Sequence, residues 1–158
     1  TKGLWQYYSG QGSAYSPVVS AVIKGFRSGN IDMVMEAVQS FMSSVPYDAM
    51  PQNELYYKTL IFGLFYLATD FFVRCEEKSA AGRADIVVET ANAVYVLEFK
   101  LDGNGTVDSA LKQIDDKGYL IPYSVKKSAD GTPKKLFKVG VVIDHEKRTL
   151  GEWKVVEG

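Results

Sequence analysis

The run Val94-Tyr95-Val96-Leu97-Glu98-Phe99-Lys100 constrains this chain more than any other stretch. Residues two apart on a strand face the same side. Leu97, Phe99 and Leu101 therefore share one face, and Val94, Val96, Glu98 and Lys100 share the other. Both faces are apolar for most of the length, as expected of a central strand covered on both sides. An acid and an ammonium at the end of such a strand are costly unless they are paired or bound to a metal.

A second strand-like stretch, Gly82-Arg83-Ala84-Asp85-Ile86-Val87-Val88-Glu89, precedes it across a short turn, Thr90-Ala91-Asn92-Ala93. Asp85 is the natural neighbour of Glu98 and Lys100 across that hairpin. Spacing alone leaves two readings open. The three residues form either a structural ion pair at a sheet end or a site for a divalent metal and an activated water.

At 158 residues the chain fits one domain, or one domain with a helical extension. A net charge of −1 gives no global basic footprint, so nucleic-acid binding would rely on local patches. The single cysteine, Cys75, excludes an internal disulfide and fits a reducing, cytoplasmic setting. One cysteine and one histidine argue against a structural zinc site. His145 lies in Asp144-His145-Glu146-Lys147-Arg148, which reads as an exposed turn, and no nucleophile-elbow motif is present. No segment reaches the roughly 18 consecutive apolar residues of a membrane span, and no signal peptide is visible.

Helices are expected from Ser16 to about Phe26, from Asn30 through Met42, and from about Asn53 to Ala68. The third is apolar nearly all round after Thr59 and reads as the most buried. Strands are expected over Phe71–Glu77, Ala84–Glu89 and Val94–Leu101. A helix from about Thr106 to Gly118 follows, then strands over Leu136–Ile143 and Gly151–Val156. Three helices, a three-strand meander, a crossover helix and two strands give an α/β fold: a mixed sheet of about five strands with helices on its faces. Residues 1–29, with Tyr7, Tyr8 and Tyr15 in a Gly/Ser-rich stretch, read as a linker and helical extension. Residues 30–158 form the main domain.

This order, with Asp85, Glu98-Phe99-Lys100 and a following helix that carries Gln113, resembles the PD-(D/E)xK nuclease superfamily and its restriction-endonuclease-like core. Ser44-Val45-Pro46-Tyr47, Tyr56-Tyr57, Gly82-Arg83-Ala84-Asp85, Glu98-Phe99-Lys100-Leu101-Asp102-Gly103 and Ala110-Leu111-Lys112-Gln113-Ile114 through Lys117-Gly118-Tyr119 are similar to one bacterial branch of it. In that branch the nuclease-like domain lies C-terminal to an AAA-type ATPase domain. The resemblance implies metal-dependent phosphodiester hydrolysis of nucleic acid, DNA before RNA. It also leaves open a catalytically idle module that binds nucleic acid or docks to the ATPase. A homo-oligomer is compatible with either.

The resemblance also implies roles. Glu54 matches the acid of the first motif, Asp85 the metal-binding acid of the second, Glu98 and Lys100 the acid and lysine of the third, and Gln113 the polar residue of the next helix. Ala84 stands where the superfamily's name has proline. Mg²⁺ or Mn²⁺ would be held by Asp85, Glu98 and the Phe99 backbone carbonyl, with Glu54 reaching it through water or binding a second ion. Lys117, Lys126, Lys127, Lys134 and Lys135, joined by Lys138, are the candidate phosphate contacts, or else a solvated loop. Tyr119 either stacks on a base or packs at the helix end. Gln113 either contacts a phosphate, holds Lys100 or faces solvent.

Overall fold

The computed structural model describes residues 16–45, 53–68, 72–79 and 82–158. Helices α1 (Pro17–Ser28), α2 (Ile31–Ser43) and α3 (Glu54–Tyr66) come first. Strands β1 (Phe72–Ser79), β2 (Gly82–Glu89) and β3 (Ala93–Leu101) follow, then α4 (Val107–Asp116), a single 3₁₀ turn at Ile121–Tyr123, and strands β4 (Lys135–Asp144) and β5 (Thr149–Glu157). The strands form one five-stranded sheet in chain order. β1, β2 and β3 are antiparallel neighbours, β3 and β4 are parallel across the α4 crossover, and β4 and β5 form an antiparallel pair. This is the mixed sheet expected from the order of elements. Among the described residues no helix is long and apolar enough to cross a membrane.

Each helix starts where a polar side chain replaces a missing backbone partner. Ser16 accepts from Val19 N–H at 3.2 Å, Asn30 from Met33 N–H at 3.1 Å and Asn53 from Tyr56 N–H at 2.9 Å. Thr106 and Ser109 cap α4 reciprocally. α4 ends at Asp116 rather than at Gly118, and Gly118 provides the left-handed residue (φ 63°) just beyond.

β3 is the central strand that its sequence requires. Tyr95, Leu97 and Phe99 point into the larger core, built with α1, α2 and α3. Val94 and Val96 point into a second cluster with Val87, Ile114, Tyr119 and Tyr123. α4 and the turn after it cover that face. Phe26 of α1 lies 5.1 Å from Phe65 and 5.2 Å from Tyr95, ring centre to ring centre, inside the main core. Tyr7, Tyr8 and Tyr15 lie outside the described residues, as do Pro46 and Tyr47.

One expectation fails. α3 is not the most buried helix: Leu55 and Tyr66 are 59% and 67% exposed. After Thr59 its composition is apolar nearly all round, but the core meets the helix on one side through Tyr57, Leu60, Ile61, Leu64 and Phe65. α2 buries more, because it lies against both α1 and β5.

Candidate metal and phosphodiester site

The site forms where β2 and β3 part. Their paired residues run from Glu89↔Val94 to Ile86↔Leu97 and stop. The β1–β2 pairing also skips Asp85, passing from Cys75↔Ile86 to Glu77↔Ala84. Beyond that point the backbone N–H of Phe99 has lost its ladder partner. The Asp85 carboxylate takes it instead, Oδ2 accepting at 2.8 Å. Satisfying a stranded backbone donor thus fixes the acid next to β3.

Asp85 and Glu98 are buried, 9% and 1% exposed. Gln113 of α4 ties the second acid to the lysine. Its Nε2 donates to Glu98 Oε2 at 3.1 Å, while its Oε1 accepts from the Lys100 ammonium. Gln113 therefore holds Lys100, and it is half-buried rather than facing solvent. α4 comes this close because Gly140, beside Glu98 in the parallel β3–β4 register, has no side chain. A Cβ there would lie 2.6 Å from the Val107 carbonyl oxygen. Gly105 likewise leaves room for the Lys100 stem, whose Cγ would lie 2.8 Å from an added Cβ.

Glu98 Oε1 is buried and accepts from no donor among the described residues. Burial raises the Glu98 carboxyl to about 9, the nearby Asp85 adds to the rise, and Lys100 and Lys58 only partly oppose it. Two acceptors crowded together need a proton or a cation between them. The donor set is hard oxygen: two carboxylates and the Phe99 carbonyl. That chemistry and the orphaned oxygen fit Mg²⁺ or Mn²⁺, which keep several waters. Among the described residues no three His, Cys, Asp or Glu side chains converge as a ready-made metal cage.

Glu54 joins the site indirectly, through a residue absent from the expected set. The Lys58 ammonium donates to Asp85 Oδ1 at 2.8 Å and lies 3.4 Å from Glu54 Oε1. Burial works to lower the Lys58 pKa, but Asp85 and Glu54 outweigh it and the net shift is upward. The sequence signal was there in the spacing of Glu54 and Lys58, an acid followed by a lysine one helical turn on.

The structure does not bring the basic loop to the acids. Lys135 pairs with Ala93 at the start of β3, five residues before Glu98, or about 17 Å at about 3.3 Å per residue. Lys134 is engaged with Glu89 at 2.9 Å, Lys126 approaches the same acid at 3.7 Å, and Lys138 pairs with Asp115 at 2.8 Å. Lys117, Lys127 and Lys135 are exposed. Tyr119 is 5% exposed and offers no open face to a base. It packs at the end of α4, its hydroxyl 3.5 Å from Gln113 Nε2. His145 sits in the exposed β4–β5 turn, Nδ1 2.6 Å from Asp102 Oδ1.

With this geometry in place, comparison with known proteins gives a family. The model of a PD-(D/E)XK nuclease superfamily family matches residues 52–153. The chain belongs to that superfamily. The matched stretch contains Glu54, Lys58, Asp85, Glu98, Lys100, Gln113 and Gly140. The chain is also similar to a protein from Azotobacter chroococcum mcd 1 described as an uncharacterized protein in the vnfD 5′ region. The two are 30% identical over 116 residues, which is 70% of this chain and 21% of that protein. The chain thus spans about a fifth of that relative's length.

Proposed function

We propose that this domain is a divalent-metal-dependent nuclease that hydrolyses phosphodiester bonds in DNA. One observation supports this most. Asp85 and Glu98 are buried together at a strand end, with Glu98 Oε1 lacking a donor among the described residues and Lys100 held beside them by Gln113. A structural ion pair needs no orphaned acceptor. A bound Mg²⁺ or Mn²⁺ would supply Lewis acidity toward the phosphoryl oxygen and lower the pKa of a coordinated water. Asp85, Glu98 and the Phe99 carbonyl would hold the ion, and Glu54 would reach it through water. Lys100 orients the attacking water and stabilises charge building on the phosphate oxygens. Gln113 keeps that ammonium aimed and fixes the second Glu98 oxygen. Exposed Lys117, Lys127 and Lys135 contact phosphates flanking the cut.

The greater length of the Azotobacter relative leaves room for a neighbouring domain, and we place an AAA-type ATPase domain upstream of this one in a cytoplasmic protein. Incubation of single- and double-stranded DNA and RNA with the protein and Mn²⁺ or Mg²⁺ tests the reading, with Asp85→Ala as control. Metal-dependent cleavage lost in the control is the expected result. Metal binding without cleavage of any substrate would favour the idle module that binds nucleic acid.

A further inference from the structure

Both oxygens of Asp85 are already in use. Oδ2 holds the Phe99 N–H, and Oδ1 holds the Lys58 ammonium, each at 2.8 Å. The Lys58 side chain is 13% exposed, so this contact is partly shielded from water. An ammonium therefore lies against the carboxylate proposed above to hold a divalent ion. Glu54 lies one turn back on the same helix, 3.4 Å from the same nitrogen.

We infer that Lys58 is a resident counter-cation of the metal site, which leaves Asp85 for Glu54 when a divalent ion binds. The inference rests on the metal-binding role proposed above for Asp85 and Glu98. Without any cation, two buried carboxylates repel, and the Lys58 ammonium against Asp85 offsets part of that charge. A divalent ion entering beside Asp85 repels the Lys58 ammonium, because like charges this close interact strongly in a partly desolvated site. The lysine stem is long and freely rotatable, and its acceptor on Glu54 is already near. The exchange is therefore a rotamer change that needs no movement of α3. Metal occupancy then sets where the Lys58 charge lies, and Lys58 in turn sets how much free metal the site requires. Lys58 is a positioning residue that acts through Asp85.

Calorimetric titration of Mn²⁺ into the metal-stripped full chain tests this, comparing wild type with Lys58→Met, Lys58→Gln and Lys58→Arg. Met removes the charge and keeps the stem. Gln removes the charge while keeping a polar end, one bond shorter, and is the variant to read should Met not fold. The Met and Gln proteins should bind Mn²⁺ about tenfold more tightly, as expected for removing one competing charge at contact distance. Arg should keep wild-type affinity or bind more weakly. A purely structural lysine predicts the opposite sign, since a loosened site binds metal less well. Unchanged or weaker binding in both Met and Gln, with wild type binding, would overturn the inference and leave the metal site standing. No Mn²⁺ binding by wild type or either variant would overturn both.

Discussion

Glu98→Gln replaces the buried acid with a neutral group of the same shape, and the structure fixes how its effect must vary with pH. The carboxyl titrates ordinarily at 4.5 and at about 9 in the folded chain, because it is buried and faces Asp85. The folded value is raised, so the native state holds a proton that the unfolded chain has released. Glu98 therefore contributes most to stability below about pH 4.5, and that contribution is lost as pH rises toward 9. Within the window each pH unit costs about 1.4 kcal/mol. Glutamine resembles the protonated acid throughout and should show no such loss. In EDTA, the stability of Glu98→Gln relative to wild type should grow by about 3 kcal/mol between about pH 6 and 8. Urea denaturation at several pH values reads this difference, and the other titrating groups largely cancel in it. Parallel stability–pH curves for the two proteins would refute a protonated buried Glu98. The same proton must leave when Glu98 ligates metal, so Mn²⁺ affinity should rise with pH across this window.

Gly140→Ala places a methyl group 2.6 Å from the Val107 carbonyl, so α4 must move off the sheet and take Gln113 with it. Denaturation should show a loss of about 1–3 kcal/mol, and cleavage should fall further than Mn²⁺ affinity, because Lys100 loses its tether. Equal losses in both would refute the positioning role of α4. Lys135 lies about 17 Å from Glu98, some five nucleotides along a strand, and Lys127 lies in the same loop, bridged to Pro133. Lys127→Ala with Lys135→Ala should reduce the salt slope of duplex binding by about 2 while leaving cleavage of very short substrates intact. An unchanged slope removes these lysines from the interface.

The central strand was legible because its periodicity admits few alternatives. Val94, Val96, Glu98 and Lys100 must share a face, and an antiparallel hairpin brings Asp85 across from Glu98. Gln113 was legible as a partner of Lys100 only as one choice among three, because the path of a crossover helix over the sheet is not written in its own residues. Lys58 does not stand out in the sequence because it sits in an aromatic helix whose pattern speaks for burial. Its spacing from Glu54 was visible, but its contact with Asp85 depends on how α3 meets the sheet end. The lysines after α4 are close to it in sequence, yet β4 must start at the Ala93 end of β3 to run parallel to it, and that draws them away from the acids. Tyr119 shows the limit of residue type: an aromatic at a helix end reads alike whether it is packed or stacked.

The most direct test of the account is a paired measurement on Lys100→Ala: nucleic-acid cleavage and Mn²⁺ binding on the same preparation. The account predicts that cleavage is abolished while Mn²⁺ binding through Asp85 and Glu98 persists. Cleavage at the wild-type rate in that variant would contradict the role assigned to this lysine and, with it, the site proposed here.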